Sequence, residues 1–254
     1  MSQVTYDFSG KVAIVTGAAG GIGRASAIKF TAAGAAVTVA DVNADGGAET
    51  VALIEAAGGR ATFVATDVAS SDSVQEMVAR TVETFGRLDY AHNNAGVAGE
   101  EGSVADIPEA EWDRVHGVML RGVYLCMKYE IPHMLAEGGA IVNTASGAGL
   151  IAYPGQSPYV SSKHGVIGLT KTAAMEYGVR GIRINAVCPG TVLTPMVETV
   201  IEEQQLEPAL IALHPIGRIG TAEEVANGAL WLCSDDASFV IGHSLSVDGG
   251  YVLP

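Results

Sequence analysis

The sequence predicts an α/β fold, a doubly wound parallel sheet of about seven strands with helices on both faces. Short apolar runs alternate along the 254 residues with longer stretches whose apolar side chains recur at helical spacing. Such alternation implies parallel strands joined by right-handed crossovers. The hydrophobic fraction of 48% suits strands that are covered on both faces. Because no linker or block of charge interrupts the pattern, residues 1–254 are expected to form one domain.

The elements follow one another in a regular order. The predicted strands are 11–16, 36–41, 61–66, 88–92, 140–145, 182–187 and 244–247. The first predicted helix ends near residue 33, the second includes residues 51 and 54, and the third covers 74–82. Three more are predicted from about 109 to 135, from about 158 to 177 and from 221 to 233. Segment 191–215, with three prolines and many apolar residues, breaks this rhythm. It is expected to be either a lid over the substrate or a helical cap packed on the sheet.

Charge and composition exclude several classes of partner. Fourteen basic and 28 acidic residues give a net charge of −14, and no basic cluster interrupts this balance. Nucleic-acid binding and attachment to a membrane are therefore not expected. Three separated cysteines in apolar surroundings suit a reducing compartment, and no Cys/His spacing predicts a metal site. The N-terminus has no signal-peptide pattern, so a cytoplasmic protein is expected.

A glycine-rich turn follows the first predicted strand. The apolar run 12–15 breaks into Gly17, Gly20, Gly21 and Gly23, and a helical pattern begins there. Glycine permits a sharp turn and close approach of a ligand, and the amides at a helix N-terminus favour an anion such as pyrophosphate. The spacing differs from G-x-G-x-x-G and lacks the Lys-Ser/Thr of a P-loop, so a turn without ligand is the alternative. Arg24 could reach a phosphate, but a solvated helix residue is the simpler interpretation.

Asp41 ends the second predicted strand, 18 residues after Gly23. In a dinucleotide-binding fold an acidic residue there accepts hydrogen bonds from the adenosine ribose and repels a 2′-phosphate. Asp41 therefore favours NAD over NADP as the cofactor. The alternative is that Asp41 caps the following helix.

Three residues in the second half of the chain can carry acid–base chemistry. Tyr159 and Lys163 are spaced i, i+4 and lie on one face of a predicted helix. A neighbouring ammonium is expected to lower the pKa of the Tyr159 phenol and make it a usable acid or base. Ser146 follows the fifth predicted strand and could meet the same substrate oxygen as Tyr159. Its alternative role is turn formation, since Ser-Gly is a loop signal.

Taken together, these motifs resemble the short-chain dehydrogenase/reductase family over nearly the whole chain. The resemblance rests on TGAAGGIG (16–23), DV (67–68), NNAG (93–96), Ser146, YVSSK (159–163) and PGTVLT (189–194), in the family's order and spacing. It implies a Rossmann-like sheet, a nicotinamide cofactor, a small-molecule substrate and a homotetramer. Within the family, residues 125–134 and 214–218 look like NAD-dependent dehydrogenases of cyclic alcohols and diols.

The resemblance also implies roles for individual residues. The pyrophosphate would be lined by Gly17, Gly21, Ile22 and Gly23. Asp67 and Val68 would flank the adenine, Asn94 would contact a ribose, and Val192 and Thr194 would hold the nicotinamide carboxamide. Tyr159 would exchange a proton with the substrate oxygen, Lys163 would bind the nicotinamide ribose, and Ser146 would polarise the substrate oxygen. Separately, the apolar lid suits a hydrophobic or cyclic substrate, with Val97, Tyr153, Gln156 and Met196 as its expected lining. If their loop borders the pocket, Glu100 and Glu101 disfavour an acidic substrate.

One position departs from the family's pattern. Met119 stands where the family carries a catalytic asparagine that helps to hold a proton-relaying water, and no asparagine lies between Asn94 and Asn143. A slower proton relay is expected. Met119 also supports the alternative of a dinucleotide-sensing binding protein that has lost turnover. A serine hydrolase is excluded because the sequence lacks a G-x-S-x-G motif.

Overall fold

A computed structural model describes residues 5–195, 197–198 and 206–253. Seven parallel strands form one sheet in the order β3-β2-β1-β4-β5-β6-β9. The strands are β1 Val12–Thr16, β2 Ala36–Asp41, β3 Arg60–Ala65, β4 Tyr90–Asn93, β5 Gly139–Thr144, β6 Ile182–Pro189 and β9 Ser244–Val247. A separate pair joins β7 Val192–Leu193 to β8 Gly220–Thr221. The predicted doubly wound sheet is confirmed.

Helices cover both faces of this sheet. They are α1 Gly21–Ala32, α2 Ala44–Ala56, α3 Ser71–Phe85, α4 Glu109–His116, α5 Gly122–Met134, α6 Ser157–Tyr177, α7 Glu207–Ala212 and α8 Ala222–Cys233. One buried apolar cluster lies under α3, α5 and α6, and the other lies under α1 and α8. Within the described ranges, no helix is long and apolar enough to cross a membrane.

The strand order reverses between β1 and β4, and this reversal positions the site. The chain runs outward from β1 through β2 to β3 and then crosses back to place β4 on the other side of β1. The loops that leave β1 and β4 therefore diverge and open a crevice at the carboxyl ends of the strands. Such crevices are where doubly wound sheets bind ligands.

The predicted helix 109–135 differs from the observed one. A π-helical turn, Gly117–Arg121, interrupts it between α4 and α5. Met119 lies within this turn, is 4% exposed, and places its Cε 3.1 Å from an ideal Cβ built on Gly96. Single π turns inside α-helices occur frequently at functional sites. The π turn thus contains Met119, the position at which the sequence differs from the family's pattern.

Segment 191–215 is described only in part. It contributes β7 and α7, and the His214 Nε2 accepts a hydrogen bond from the Thr191 amide at 3.0 Å. The two ends of the segment are thereby tied together. Met196, Val200 and Ile201, which belong to the predicted lid, lie outside the described residues.

Candidate active site

The turn after β1 requires glycine for steric reasons. Gly17 and Gly21 have φ of 66° and 50°, in the left-handed region. An ideal Cβ on Gly23 would lie 2.1 Å from the Gly17 carbonyl oxygen, and one on Gly17 would lie 2.9 Å from the Ala95 Cα. The backbone of the turn is thus packed against backbone. The N-cap is Gly20, and among the described residues no side chain makes a capping hydrogen bond to α1, so the first amides of this helix can meet a phosphate. The Ile22 side chain packs on the core instead.

Asp41 and Arg24 hold this turn from opposite sides. Asp41 Oδ2 accepts from the Ala19 amide at 2.9 Å, and Arg24 Nη2 donates to the Ala19 carbonyl at 2.6 Å. Arg24 also donates to Thr50 Oγ1 and Glu49 Oε2. The interpretation of Arg24 as a solvated helix residue is therefore wrong: its guanidinium joins the turn to α2.

The alternative role of Asp41 as a helix cap is also wrong. Asn43 is the N-cap of α2, and its side chain accepts from the Gly46 amide at 3.1 Å. Asp41 Oδ1 accepts from the Asn43 amide at 2.9 Å. The carboxylate thus lies at the carboxyl end of β2 and faces the glycine turn, which is the place where a ribose-binding carboxylate is needed.

Asp67 and Val68 occupy the corner after β3. Asp67 is exposed, and its Oδ1 accepts from the Ala69 amide at 2.9 Å. Val68 is buried, and its Cγ2 lies 2.9 Å from an ideal Cβ on Gly122. Asp67 is therefore available to a ligand at this edge of the crevice, whereas the Val68 side chain is part of the core.

Asn94 is held at the crevice by a chain of buried hydrogen bonds. Asn94 Nδ2 donates to the Thr16 carbonyl at 3.2 Å, and Asn94 Oδ1 accepts from Thr144 Oγ1 at 3.2 Å. Thr144 in turn contacts His92 Nε2 at 2.9 Å, and His92 Nδ1 contacts Ser26 at 3.0 Å. Burial lowers the pKa of His92 to about 3, so the imidazole is neutral. Sequence analysis missed His92, although a histidine within a strand-like run signals it.

Ser146, Tyr159 and Lys163 meet where β5 ends and α6 begins. Lys163 is 3% exposed and donates to the Thr144 carbonyl at 2.7 Å, and its Nζ lies 5.7 Å from the centre of the Tyr159 ring. Ser146 Oγ accepts from the Ala148 amide at 3.1 Å, so it forms the expected turn, and the same hydroxyl also interacts with the Tyr159 phenol. The three predicted residues are thus brought together.

The expected pKa shift of Tyr159 is wrong for this arrangement. Burial raises the pKa of the phenol, and the Ser146 hydroxyl opposes that shift only in part. The Lys163 ammonium faces the Thr144 carbonyl and the face of the tyrosine ring rather than its hydroxyl. Burial also lowers the pKa of Lys163 to about 8. At neutral pH the Tyr159 phenol therefore keeps its proton, and Lys163 is still mainly an ammonium, although it gives up its proton more readily than an exposed lysine.

The segment after β6 closes the crevice next to the glycine turn. An ideal Cβ on Gly21 would lie 3.1 Å from Thr194 Cγ2. Val192 is 5% exposed and pairs with Gly220, so only its backbone can reach a ligand. Thr194 thus lies beside the glycine turn, and Val192 belongs to the short β7–β8 pair that precedes it.

Three stacked rings stand next to Ser146. Tyr251 stacks on Tyr153 with ring centres 5.6 Å apart and on His214 at 4.9 Å. Tyr251 Cδ1 lies 2.9 Å from an ideal Cβ on Gly147, and the Tyr251 phenol raises the pKa of Tyr159. Sequence analysis missed Tyr251, because nothing in the sequence connects the last residues of the chain to Tyr153.

The remaining predicted lining is polar at one point. Gln156 Nε2 donates to Glu101 Oε1 at 3.0 Å, which brings the Glu100–Glu101 loop to the start of α6. In the part of the chain that the structure describes, no group of three His, Cys, Asp or Glu side chains could hold a metal ion.

Comparisons with known proteins identify relatives of this chain. A family model described as enoyl-(acyl carrier protein) reductase matches residues 17–252. The chain is 44% identical to 2,5-dichloro-2,5-cyclohexadiene-1,4-diol dehydrogenase of Sphingobium indicum, over 96% of this chain and 98% of that one. It is 46% identical to cyclohexanol dehydrogenase of Acinetobacter sp., over 96% of each chain. Carveol dehydrogenase from Mycobacterium avium in complex with NAD superposes with a TM-score of 0.94 at 32% identity, over 98% of this chain and all of that one.

Proposed function

Because the chain belongs to the short-chain dehydrogenase/reductase family, we propose that it interconverts a secondary alcohol and its ketone with NAD(H), using Tyr159 as the acid–base group. The observation that carries this proposal is the meeting of Ser146, Tyr159 and Lys163 at the end of β5, beside the glycine turn. A phenol, a hydroxyl and an amine at one edge of the crevice can bind and protonate a single substrate oxygen.

The crevice suits a dinucleotide. The turn of Gly17, Gly21 and Gly23 leaves a cradle that a Cβ would fill, and the first amides of α1, which no described side chain caps, suit the pyrophosphate of a dinucleotide. Asp41 would bind the adenosine ribose, and Asn94 would contact the nicotinamide ribose. Asp67 and the Val68 backbone would flank the adenine. Val192 and Thr194 would hold the nicotinamide carboxamide. When bound, the nicotinamide supplies or accepts the hydride.

The preference for NAD over NADP rests on the Asp41 carboxylate. It lies at the end of β2, faces the Ala19 amide and would repel a 2′-phosphate. The Arg24 guanidinium, a cation that could offset this repulsion, is bound to Ala19, Thr50 and Glu49. The carveol dehydrogenase that binds NAD has the same fold, which is consistent with this preference.

The residues of this chain handle the proton. Ser146 donates to or orients the substrate oxygen, and Tyr159 gives its proton to that oxygen in ketone reduction or takes it in alcohol oxidation. Burial raises the pKa of Tyr159, so the phenol carries its proton at neutral pH and is ready for reduction. Oxidation requires the phenolate, and alkaline conditions favour it. The lowered pKa of Lys163 allows this side chain to take up or release a proton close to neutral pH.

A cyclic or otherwise hydrophobic substrate fits the surroundings best. Tyr153 and Tyr251 present stacked rings next to Ser146, and such surfaces bind planar or ring-shaped ligands. Val97 and Gln156 would complete the lining, together with segment 191–215 as the lid and Met196 within it. Glu101, bonded to Gln156, disfavours an anionic substrate. The two relatives named for cyclic alcohols support this class.

We also propose a homotetramer in a reducing, cytoplasmic compartment, with no nucleic-acid or membrane partner. Large apolar side chains are exposed near the end of α6, with Met175 at 82%, Val179 at 89% and Phe239 at 102% exposure. Ile241 extends the same patch, since its Cδ1 lies 3.3 Å from an ideal Cβ on Gly178. Another copy of the chain could cover this surface. Cys126, Cys188 and Cys233 are buried free thiols, which suits a reducing environment.

An activity panel tests the proposal. The purified protein is mixed with NAD or NADP and a set of cyclic and linear secondary alcohols, and formation of the reduced cofactor is followed. Turnover with NAD is expected, and Tyr159→Phe should lose nearly all of it while still binding the cofactor. Tyr177→Phe, at the end of the same helix, removes a phenol hydroxyl elsewhere and should keep the activity. Cofactor binding without turnover, equal in the parent and in Tyr159→Phe, would instead identify a sensor.

A further inference from the structure

A row of buried polar side chains crosses the core beneath the carboxyl ends of β4 and β5. Glu130 on α5 is 0% exposed, and its Oε2 accepts from Asn93 Nδ2 at 3.1 Å. The same amide donates to Asn143 Oδ1 at 3.1 Å, and Asn143 Nδ2 donates to Thr170 Oγ1 at 2.9 Å. These residues lie inside the apolar cluster under α3, α5 and α6. None of them belongs to the site described above.

The hydrogen bonds of this row leave two atoms over. Glu130 Oε1 and Asn93 Oδ1 are both buried, and neither has a partner among the residues that the structure describes. When Glu130 is ionised, both atoms can only accept hydrogen bonds, so each would remain buried without a donor. Buried polar atoms are rarely left in this state. A proton on Oε1 removes the problem, because an acid hydroxyl can donate to an amide oxygen while the amide nitrogen donates to the acid carbonyl.

Among the residues that the structure describes, none offers a positive charge that would hold Glu130 ionised. Cys126 lies one turn earlier on α5. Burial raises the pKa of its thiol, and the nearby Glu130 carboxylate raises it further, so Cys126 supplies no positive charge. In the described chain, β4, β5 and α6 present the neutral Asn93, Asn143 and Thr170, and the inner face of α3 presents Val, Met and Thr side chains. The cation Lys163 on α6 is bonded to the Thr144 carbonyl. An unpaired carboxylate in such a place is strongly disfavoured.

We propose that Glu130 is a neutral carboxylic acid that shares its proton with Asn93 in a paired, two-hydrogen-bond contact, and that this pair positions the active-site edge of β4 and β5. The positions are adjacent: Asn94 and Thr144, which face the crevice, directly follow Asn93 and Asn143, and these two are in register across the strands. Glu130 is thus a positioning residue. This second part of the proposal rests on the proposed function, whereas the assignment of the proton does not.

The pair connects the site to pH. Burial raises the pKa of Glu130 to about 7, so the acid loses its proton near neutral pH. In the ionised form, Glu130 Oε1 and Asn93 Oδ1 are both buried acceptors without a donor among the described residues, which weakens the contact between the two side chains. The strand ends that hold Asn94 and the Thr144 carbonyl then lose a fixed support. Dinucleotide affinity is expected to fall as the pH rises through this range.

Infrared spectroscopy of the whole protein tests the proton directly. At pH 6 ordinary glutamates are ionised, so a protonated carboxylic acid band should be visible, should disappear with a midpoint near the Glu130 pKa of about 7, and should be missing in Glu130→Gln. Because the parent protein alone shows the titration, the test does not depend on the folding of the variant. Absence of a titrating acid band at pH 6 in the parent would overturn the assignment.

Glu130→Gln also separates the positioning role from a purely structural one. Glutamine can make both hydrogen bonds of the proposed pair with Asn93 and cannot ionise. The NADH dissociation constant is measured from pH 5.5 to 9 for the parent, for Glu130→Gln and for Glu55→Gln, which changes an exposed glutamate on α2. The parent and the control should bind several-fold more weakly above pH 7, and Glu130→Gln should not. Parallel curves for all three would refute the positioning role. If the parent protein binds no NADH at any pH, this result counts against the proposed function, and the infrared result is unaffected.

Discussion

Substituting Gly23 with alanine tests how closely the glycine turn is packed. Gly23 is a helical residue of α1, so alanine is compatible with its backbone and the effect is purely steric. The new Cβ would lie 2.1 Å from the Gly17 carbonyl oxygen, 2.7 Å from the Gly17 carbon and 2.9 Å from the Ala18 Cα. These are backbone atoms that cannot rotate away. Reaching an ordinary contact requires a shift of the Gly17 peptide of roughly 1 Å.

Two quantities should change in Gly23→Ala. Overpacking of this kind costs about 1–3 kcal/mol in the free energy of unfolding, and the higher helix propensity of alanine returns at most about 1 kcal/mol of it. A displaced Gly17 peptide also misaligns the amides that would meet the phosphates. The loss of one charged hydrogen bond costs about 1.5–3 kcal/mol, so the dissociation constant for NADH should increase roughly ten- to hundredfold.

Urea unfolding and NADH titration by fluorescence or calorimetry measure these two effects. Gly20→Ala is the matched control for stability, because among the described residues its Cβ would meet only Pro195 Cγ at 3.9 Å, and its extended φ of −167° suits alanine. It should unfold at nearly the parent's urea concentration. Unchanged stability and unchanged NADH affinity in Gly23→Ala would refute the argument that this turn is a tightly packed phosphate cradle.

Three further predictions concern single side chains around the crevice. Asp41→Asn keeps an oxygen for the Ala19 amide but removes the charge, so the ratio of kcat/KM for NADP to that for NAD should rise at least about tenfold. Asp45→Asn should leave this ratio unchanged, and no change in Asp41→Asn would overturn the role of the carboxylate. Tyr251→Leu should lower kcat/KM for cyclic alcohols by about two- to tenfold relative to linear ones, whereas Tyr251→Phe, which keeps the stacked ring, should not. Equal losses for both classes of alcohol would argue against an aromatic wall. Met119→Asn should raise kcat by up to about tenfold and lower the unfolding free energy, because a polar amide replaces a buried apolar side chain. A rate and pH profile identical to the parent's would show that Met119 is neutral.

The fold could be predicted because the central strands of its sheet are buried on both faces. Such strands appear as uninterrupted apolar runs, and the predicted and observed positions of β1, β2, β5 and β6 agree closely. For β4, the predicted range 88–92 begins two residues before the observed strand. Leu88 and Asp89 are buried like strand residues, but they precede the strand, and Asp89 accepts a hydrogen bond from the Val12 amide. The spacing of Tyr159 and Lys163 predicts that both lie on one helix, and the place of Ser146 after β5 predicts that it lies near Tyr159. The structure shows both.

What could not be predicted depends on contacts between distant segments. Arg24 binds acceptors on two different segments, and no local pattern indicates this. The direction of the Tyr159 pKa shift depends on burial, whereas the i, i+4 spacing only indicates that Lys163 is close. The π turn at Met119 and the stacking of Tyr251 on Tyr153 follow from tertiary packing, since the two tyrosines lie far apart in the chain. The roles of the cofactor-binding residues remain predictions.

A single-turnover experiment with a deuterated substrate tests the central claim most directly. A secondary cyclic alcohol carrying deuterium on its carbinol carbon is mixed with the protein and NAD, and the reduced dinucleotide is examined by mass spectrometry. The account predicts that the deuterium is found on the reduced dinucleotide in the parent protein, and that Tyr159→Phe binds NAD but forms almost no labelled product. Unlabelled reduced dinucleotide, or equal labelling by Tyr159→Phe, would contradict direct hydride transfer assisted by this phenol.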